Sequence, residues 1–395
     1  MNQNFIYLDN AATTPVRKEV LDAMLHFFSE SYYNPSSIYN EANNIKINIS
    51  LAREKIAKAI NVKPSEIYFT SGGSESISWA IKSSCEIACN FKQKGHIITT
   101  AVEHQATLST CEYMQRLGYD VSFLEVDKYG MISAAQVLNS IKDDTIFISI
   151  IYANNEIGTI MPVVQIGNEL KKVNTERIKN NKNRIIFHID GVAAVGHIDV
   201  DVASLGVDLL SMSAHKFYGP KGVGALFCNS QAMPALIYGG SQERGRRGGT
   251  ENVPGIVGMG YALSLALDEM EFEVKRQAKL RDEFIDDILN NIPNTSLNGH
   301  PTKRLSNNIN ISFEGVSNED LLLLLDTKGI KVSAGSACTS GSLEVSHVLL
   351  ALGLSPAAAK GALRITLGKD TKKEDMNTLL KELVVMVDRL KCRDC

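Results

Sequence analysis

The sequence lacks the features of membrane, exported and nucleic-acid-binding proteins. Its 395 residues contain no apolar run as long as the roughly 18 residues that a membrane-spanning helix needs. The first ten residues, MNQNFIYLDN, contain no basic segment followed by an apolar one, so we expect no signal peptide and a cytoplasmic protein. The net charge is only −3, which argues against a dedicated binder of nucleic acid.

Cysteine is sparse and shows no regular spacing. The seven cysteines are an odd number scattered along the chain, which predicts reduced thiols rather than a disulfide framework. Cys392 and Cys395 have the spacing of a redox or metal-ligand pair, but no second pair accompanies them, so we expect a frayed tail and no metal site. Cys338 lies in VSAGSACTSGS (332–342), where it has almost nothing apolar to pack against. It is either a loop nucleophile or part of a turn without chemistry.

The arrangement of apolar runs predicts an α/β protein. From about residue 66 to 230, helical patterns alternate with seven short apolar runs: EIYFTSG, HIITTAV, VSFLEV, TIFISIIYA, RIIFHID, DLLSMSA and GVGALFC. Continuous apolar strands with helical crossovers predict a mostly parallel seven-stranded sheet, whose ligands bind beyond the carboxyl ends of the strands. A helix from about 255 to 290, short strands and a helix from about 372 to 391 predict a smaller α+β unit.

Two of the predicted strand ends carry residues suited to a carbonyl cofactor. Lys216 follows the run DLLSMSA, where it is either a lysine whose ammonium reaches solvent or a Schiff-base lysine. Asp190 ends the run RIIFHID, where it is either a loop or capping residue or the partner of a protonated ring nitrogen.

Three further stretches offer a phosphate site, a stacking ring and a carboxylate site. YFTSGGSES leads from a strand through Gly72 and Gly73 into a helix, an arrangement that suits a phosphate, although the spacing is not that of a nucleotide-binding P-loop. His104 follows a strand and is either structural or able to stack on a planar ring and move protons. Arg364 in ALRITLG requires a carboxylate, from the protein or from a substrate. Together the five features indicate pyridoxal phosphate.

The chain resembles the pyridoxal-phosphate-dependent cysteine desulfurases of the NifS/IscS-like group, in the class-V aminotransferase family. The resemblance covers essentially the whole chain and is carried by these motifs: YLDNAATTP (7–15), FTSGGSES (69–76), EHQATL (103–108), NNEIGT (154–159), HIDGVAAVG (188–196), SAHKFYGPKG (213–222), RRGGTEN (246–252), GSACTSGS (335–342) and LRITLG (363–368). It implies the aspartate-aminotransferase fold (fold type I), with a large cofactor-binding domain over 16–258 and a small domain over 1–15 and 259–395 that carries the cysteine loop.

The resemblance also implies a role for each site residue. Lys216 would hold the cofactor as a Schiff base, Asp190 would pair with its ring nitrogen, and His104 would stack on the ring and assist proton transfer. The residues implied for phosphate binding are Gly73, Ser74, Ser213, His215 and, lent by the partner subunit of a homodimer with shared sites, Thr250. Asn155 would contact the cofactor and, with Arg364, hold the substrate carboxylate. Cys338 would attack the sulfur of L-cysteine, leaving L-alanine and a persulfide.

Two positions depart from the family pattern. Ala193 stands where the family has a glutamine that binds the phenolic oxygen of the cofactor, and Tyr39 stands where NPSSxH has histidine. We expect the first change to alter the protonation of the bound cofactor, with Asn155 or water compensating, rather than to abolish binding. Both departures are compatible with a housekeeping desulfurase and with a specialised one.

The function has alternatives that the sequence leaves open. The implied sulfur acceptor is a protein of iron–sulfur cluster assembly, tRNA thiolation or DNA phosphorothioation. A selenocysteine or cysteine-sulfinate lyase, or an aminotransferase, would keep Lys216 and Asp190 but would not need Cys338. A scaffold protein that has lost efficient catalysis would keep only the fold.

Overall fold

The fold was analysed in a computed structural model, which describes residues 5–88, 94–229, 233–335 and 345–391. Cys338, Cys89 and the terminal pair Cys392 and Cys395 lie outside these ranges. Within them, no helix is both long enough and apolar enough to cross a membrane.

Strands and helices alternate through the first two thirds of the chain. In the described ranges the strands are β1 (Ile6–Tyr7), β2 (Ile67–Thr70), β3 (His96–Thr100), β4 (Asp120–Leu124), β5 (Thr145–Ile151), β6 (Ile186–Asp190), β7 (Leu209–Ser213), β8 (Gly224–Cys228), β9 (Thr295–Leu297), β10 (Asn308–Phe313), β11 (Ile330–Lys331) and β12 (Ala362–Thr366). The helices are α1 (Lys18–Ser29), α2 (Asn40–Ala59), α3 (Gly73–Ala88), α4 (Gln105–Arg116), α5 (Ala134–Asn139), α6 (Val163–Lys179), α7 (Val202–Leu205), α8 (Gln242–Gly245), α9 (Val253–Asn291), α10 (Asn318–Thr327), α11 (His347–Ala351), α12 (Pro356–Lys360) and α13 (Lys373–Lys391). Two short 3₁₀ turns span Pro64–Glu66 and Ala214–Lys216.

The large sheet confirms the predicted fold class. Its seven strands lie in the order β2-β8-β7-β6-β5-β3-β4, and β8 runs antiparallel to the other six. Each of the seven apolar runs forms one of these strands. In β5 all seven residues are buried, as expected for a parallel strand covered on both faces.

A second, smaller unit packs its own core. The antiparallel sheet β12-β10-β9 and the parallel pair β1-β11 surround an apolar cluster to which α13 contributes Met376, Leu379 and Leu383, spaced to share one helix face. The long helix α9 contributes its first half to the large core and its second half to this cluster. The predicted boundary at 258/259 falls inside α9 and stays a prediction.

The two units and the N-terminal segment meet at the carboxyl ends of the large sheet. Asp190 is the last residue of β6 and Ser213 the last of β7, while His104 follows β3. The N-terminal segment crosses this edge, where the hydroxyl of Thr14 donates to the carbonyl of His215 at 3.0 Å. It also joins β12, because the side-chain amide of Asn10 donates to the carbonyl of Thr366 at 2.9 Å.

Candidate active site

A cavity of about 180 Å³ at this edge brings most of the predicted site together. Nine predicted residues line it: Lys216, His104, Asp190, Gly73, Ser74, Asn155, Ser213, His215 and Arg364. Thr250 is exposed and does not line this cavity. Cys338 lies outside the described residues, so its place relative to the cavity stays a prediction.

Lys216 is held at the cavity by the N-terminal segment. It ends the 3₁₀ turn that follows β7, and its Nζ donates to the carbonyls of Ala11 at 2.5 Å and Ala12 at 3.0 Å. These two acceptors orient the amine toward the space that Asp190 and His104 also line.

Asp190 is a buried carboxylate, with 2% of its surface exposed. One oxygen, Oδ1, accepts the backbone N–H of Val192 at 2.9 Å. Burial raises the pKa of Asp190 above its ordinary range, while His104 and Lys216 pull it back down. A cationic N–H is the partner that best offsets the desolvation of such a carboxylate, and a protonated pyridine ring supplies one.

The ring of His104 is oriented by the helix that it caps. His104 is the N-cap residue of α4, and its Nδ1 accepts the backbone N–H of Ala106 at 3.1 Å. In the neutral imidazole, this hydrogen bond leaves the proton on Nε2. The imidazole is therefore fixed at one nitrogen and able to donate from the other.

The start of α3 has the form of a phosphate cradle. A Cβ built on Gly73, the first residue of α3, would lie 2.7 Å from Cγ2 of Val192, so only glycine fits without rearrangement. The first backbone N–H groups of a helix are free of intrahelical acceptors and attract anions. The side chains of Ser74 and Ser213 add hydroxyl groups to the lining.

His215 completes the polar wall near this cradle. Its Nδ1 lies 3.2 Å from Oγ1 of Thr13, and burial, with the charges of Lys216 and Lys221, lowers its pKa to about 4. His215 is therefore neutral near pH 7 and contributes hydrogen bonds rather than charge.

Arg364 finds a carboxylate within the protein. Only 1% of the residue is exposed, and its Nη2 donates to Oδ1 of Asp9 at 2.9 Å. Nη1 donates to the carbonyl of Asn155 at 3.4 Å, and Nε has no hydrogen-bond partner among the described residues. Sequence reasoning missed Asp9, although it lies within the motif YLDNAATTP.

A second residue that sequence reasoning missed is Glu103, which is completely buried beside His104. Its Oε1 accepts from the hydroxyl of Thr100 at 2.8 Å and from the backbone N–H of Ile151 at 2.9 Å. Burial raises the pKa of Glu103 to about 8, so the carboxyl is mostly protonated near pH 7. Its position before His104 in EHQATL was the available signal.

The two departures from the family pattern lie in different places. Ala193 lines the cavity, and behind it a smaller space of about 20 Å³ is bordered by Asn155, His197, Lys216 and Asn308, among others. A space of this size accommodates about one water molecule. Tyr39 is exposed at the start of α2, with its ring 5.9 Å from that of Tyr33, and does not line the cavity.

This set of groups fits pyridoxal phosphate. Lys216 supplies an amine for the aldehyde, and Asp190 supplies a carboxylate for the ring nitrogen. The start of α3 supplies a cradle for the phosphate, and the absence of a Cβ at Gly73 leaves space there. The five features that indicated this cofactor in the sequence therefore belong to one cavity.

Known proteins agree with this assignment. The profile described as Aminotransferase class-V matches residues 6–379. A protein named cysteine desulfurase IscS from Methanosarcina thermophila is 50% identical over 388 residues, which cover 98% of this chain and 93% of that protein. A solved NifS-like protein shares 36% identity with a TM-score of 0.89, over 98% of this chain and 100% of that one. A structure described as SspA in complex with cysteine shares 38% identity with a TM-score of 0.78, over 92% of this chain and 98% of that one.

Both the aminotransferases of this class and the cysteine desulfurases depend on pyridoxal phosphate. The match extends over nearly the whole chain and both units of the fold. The chain belongs to the class-V aminotransferase family and, within it, to the cysteine desulfurases.

Proposed function

We propose that the chain converts L-cysteine to L-alanine and takes up the sulfur as a persulfide on Cys338. The observation that carries this proposal is the meeting of Lys216, Asp190, His104 and a phosphate cradle in one cavity of a desulfurase chain that also contains GSACTSGS. The reaction balances as L-cysteine plus the Cys338 thiol giving L-alanine plus the Cys338 persulfide.

The cofactor would be held by the groups that line the cavity. Lys216 would bind its aldehyde, Asp190 its ring nitrogen, and the backbone of Gly73 with the side chains of Ser74, Ser213 and His215 its phosphate. When bound, pyridoxal phosphate supplies an electron sink next to the Cα of the substrate. His104, fixed through Nδ1, would lie against the ring and offer the proton on Nε2.

The remaining residues would act on the substrate. The amine of Lys216 would take the Cα proton, and the carbonyls of Ala11 and Ala12, to which its Nζ donates, would orient it. Arg364 and Asn155 would hold the substrate carboxylate, and the Nε of Arg364, which has no partner within the part of the chain that the structure describes, would serve as a donor. The Sγ of Cys338 would form the S–S bond as the Cβ–S bond of the substrate breaks.

The assembly is part of the same proposal. The exposed Thr250 would reach the cofactor phosphate of a partner subunit, giving a homodimer with shared sites. The persulfide would then pass to an acceptor protein in the cytoplasm, in iron–sulfur cluster assembly, tRNA thiolation or DNA phosphorothioation. The division into a large domain over 16–258 and a small one over 1–15 and 259–395 also belongs to this proposal.

The test compares wild type with Cys338→Ala, using Cys395→Ala as a control that removes a different thiol. Sulfide and alanine are measured after adding L-cysteine and a thiol reductant, and bound cofactor is checked by its visible absorbance. Wild type and Cys395→Ala should release equal amounts of both products, and Cys338→Ala neither, with its cofactor retained. Full activity of Cys338→Ala would instead indicate a lyase or an aminotransferase, and wild type that binds no cofactor would indicate a scaffold protein.

A further inference from the structure

Glu75 lies in the first turn of α3 and closes the turn that forms the phosphate cradle. It is the third residue of the helix and follows Ser74, which lines the cavity. Its Oε2 accepts the backbone N–H of Ser71 at 2.7 Å. This hydrogen bond spans Gly72 and Gly73, through which the chain passes from β2 into the helix. The carboxylate is therefore the acceptor that holds the turn in shape.

The charge of Glu75 opposes the binding of an anion at the same helix start. Burial raises the pKa of Glu75, but hydrogen bonds from Arg247 and Ser71 outweigh burial, so its pKa lies below the ordinary range. The side chain is thus ionised near pH 7. Only 11% of this side chain is exposed, so water screens its repulsion of a nearby phosphate poorly. A cradle that contains this carboxylate needs a cation to offset it.

Arg247 supplies that cation. Its Nε donates to Oε1 of Glu75 at 2.9 Å and its Nη2 to Oε2 at 3.1 Å, which makes a bidentate ion pair. The backbone beside it is held as well, because the N–H of Gly248 donates to the carbonyl of Ile237 at 2.9 Å. Neither Arg247 nor Glu75 is among the described residues that line the cavity of about 180 Å³. The pair therefore acts on the cradle from behind its lining.

We propose that Arg247 is a positioning residue for the cofactor phosphate, because it neutralises and holds Glu75 beside the cradle. The inference rests on the proposed function, which places the phosphate at the start of α3. Glu75 shapes the turn as a hydrogen-bond acceptor, and Arg247 cancels the negative charge that comes with this role. Losing the cation should weaken the binding of the phosphate and leave the meeting of the aldehyde with Lys216 unchanged.

The test measures the affinity of the apoprotein for two aldehydes, pyridoxal phosphate and pyridoxal, which differ only in the phosphate group. Binding is followed by visible absorbance and needs no turnover. The variants are Arg247→Ala, Glu75→Gln, which keeps an oxygen for Ser71, and the double variant. The matched control is Arg276→Ala, which breaks a bidentate pair with Glu273 on α9. In that pair 24% and 18% of the side chains are exposed, against 22% and 11% for Arg247 and Glu75.

The two single variants should shift the affinity for pyridoxal phosphate in opposite directions. Arg247→Ala should raise the Kd about tenfold, because the unpaired carboxylate of Glu75 then repels the phosphate. Glu75→Gln should lower the Kd about threefold or more, because the unpaired guanidinium of Arg247 then attracts the phosphate. The double variant restores the net charge, so its Kd should lie within about threefold of the wild-type value. Arg276→Ala should match wild type, and the Kd for pyridoxal should change by less than about twofold in every variant.

A purely structural role for the pair would give a different pattern, since damage to the turn would weaken the binding of both aldehydes in both single variants. A higher Kd for pyridoxal phosphate in Glu75→Gln, or equal losses for the two aldehydes, would overturn the inference. Wild-type affinity in Arg247→Ala would overturn it too. If Arg247→Ala did not fold, the sign of the change in Glu75→Gln would still decide. Wild type that bound no pyridoxal phosphate would refute the proposed function and this inference together, whereas the other contrary results count against Arg247 alone.

Discussion

The buried carboxyl of Glu103 makes the stability of this protein depend on pH in a direction that its surroundings determine. Burial is the largest influence and raises the pKa of Glu103 to about 8, and the charge of Asp190 acts in the same direction. The hydrogen bonds from Ile151 and Thr100 favour the ionised form but do not outweigh burial. The folded chain therefore keeps a proton that the unfolded chain releases.

The sign and size of the effect follow from these two states. An unfolded glutamate loses its proton near pH 4.5, whereas the folded one holds it to about pH 8. The stabilisation is therefore fully present below about pH 4.5 and is lost as the pH rises through 8. At about 1.4 kcal/mol for each pH unit, the free energy of unfolding falls by on the order of 5 kcal/mol across this window.

Glu103→Gln is the variant that tests this reasoning, because glutamine mimics the protonated acid. It keeps an oxygen for Thr100 and Ile151 and cannot ionise. Thermal unfolding of the holoenzyme would be followed from about pH 5 to about pH 9. The exposed Glu112 on α4 provides the control, since Glu112→Gln removes a charge without changing a buried site.

The Tm of Glu103→Gln should exceed that of wild type by an amount that grows with pH, while Glu112→Gln should run parallel to wild type. His188, whose pKa burial lowers to about 3, is present in all three proteins and cancels in the comparison. If the difference between Glu103→Gln and wild type were the same at every pH, Glu103 would not be a buried acid with a raised pKa, and the reasoning would be refuted.

Two further predictions concern the cofactor cradle and a buried ion pair. Gly73→Ala should weaken cofactor binding by roughly 5- to 100-fold in Kd, because its Cβ would lie 2.7 Å from a methyl group of Val192. Adding Val192→Ala removes that methyl group, so the double variant should recover the affinity for pyridoxal phosphate, measured by titrating the apoprotein. An affinity that does not recover would disprove the steric cause. Glu243→Ala should lower the free energy of unfolding in urea by about 3–5 kcal/mol, because the Arg53 guanidinium loses contacts of 2.8 and 2.6 Å in a buried setting. Glu169 forms an exposed ion pair with Lys172, and in the same assay Glu169→Ala should lower the free energy of unfolding by less than about 1 kcal/mol. Similar losses of stability in Glu243→Ala and Glu169→Ala would contradict the role of burial.

The large sheet was predictable because its signal is local. Each strand is a continuous apolar run, and burial on both faces requires that composition whatever the rest of the chain does. The strand-end rule then located Asp190, Lys216 and His104, because carboxyl ends of parallel strands meet at one edge of the sheet. Half of the candidate site therefore follows from short stretches of sequence and one topological rule.

The other half depends on contacts between distant parts of the chain. The carbonyls of Ala11 and Ala12 that hold Lys216 lie about 200 positions away from it, and no spacing in the sequence indicates that approach. The same holds for Asp9 and Arg364. Glu103 was missed for a different reason. Its position before His104 in EHQATL places it near the site, but a glutamate is normally solvated and nothing local shows that this one is buried.

The protonation states of the cavity lining explain how one site can hold a phosphate and still present a reactive amine. The pKa of His215 lies near 4, so this neighbour of Lys216 adds no positive charge near pH 7. A phosphate in the cradle would thus be bound by helix N–H groups and hydroxyls, which do not draw on the charge of Lys216. Arg364 is matched by Asp9, and the raised pKa of Asp190 is opposed by Lys216 itself. The Nζ of Lys216 donates to the backbone carbonyls of Ala11 and Ala12, two acceptors without net charge that orient the amine at the cavity.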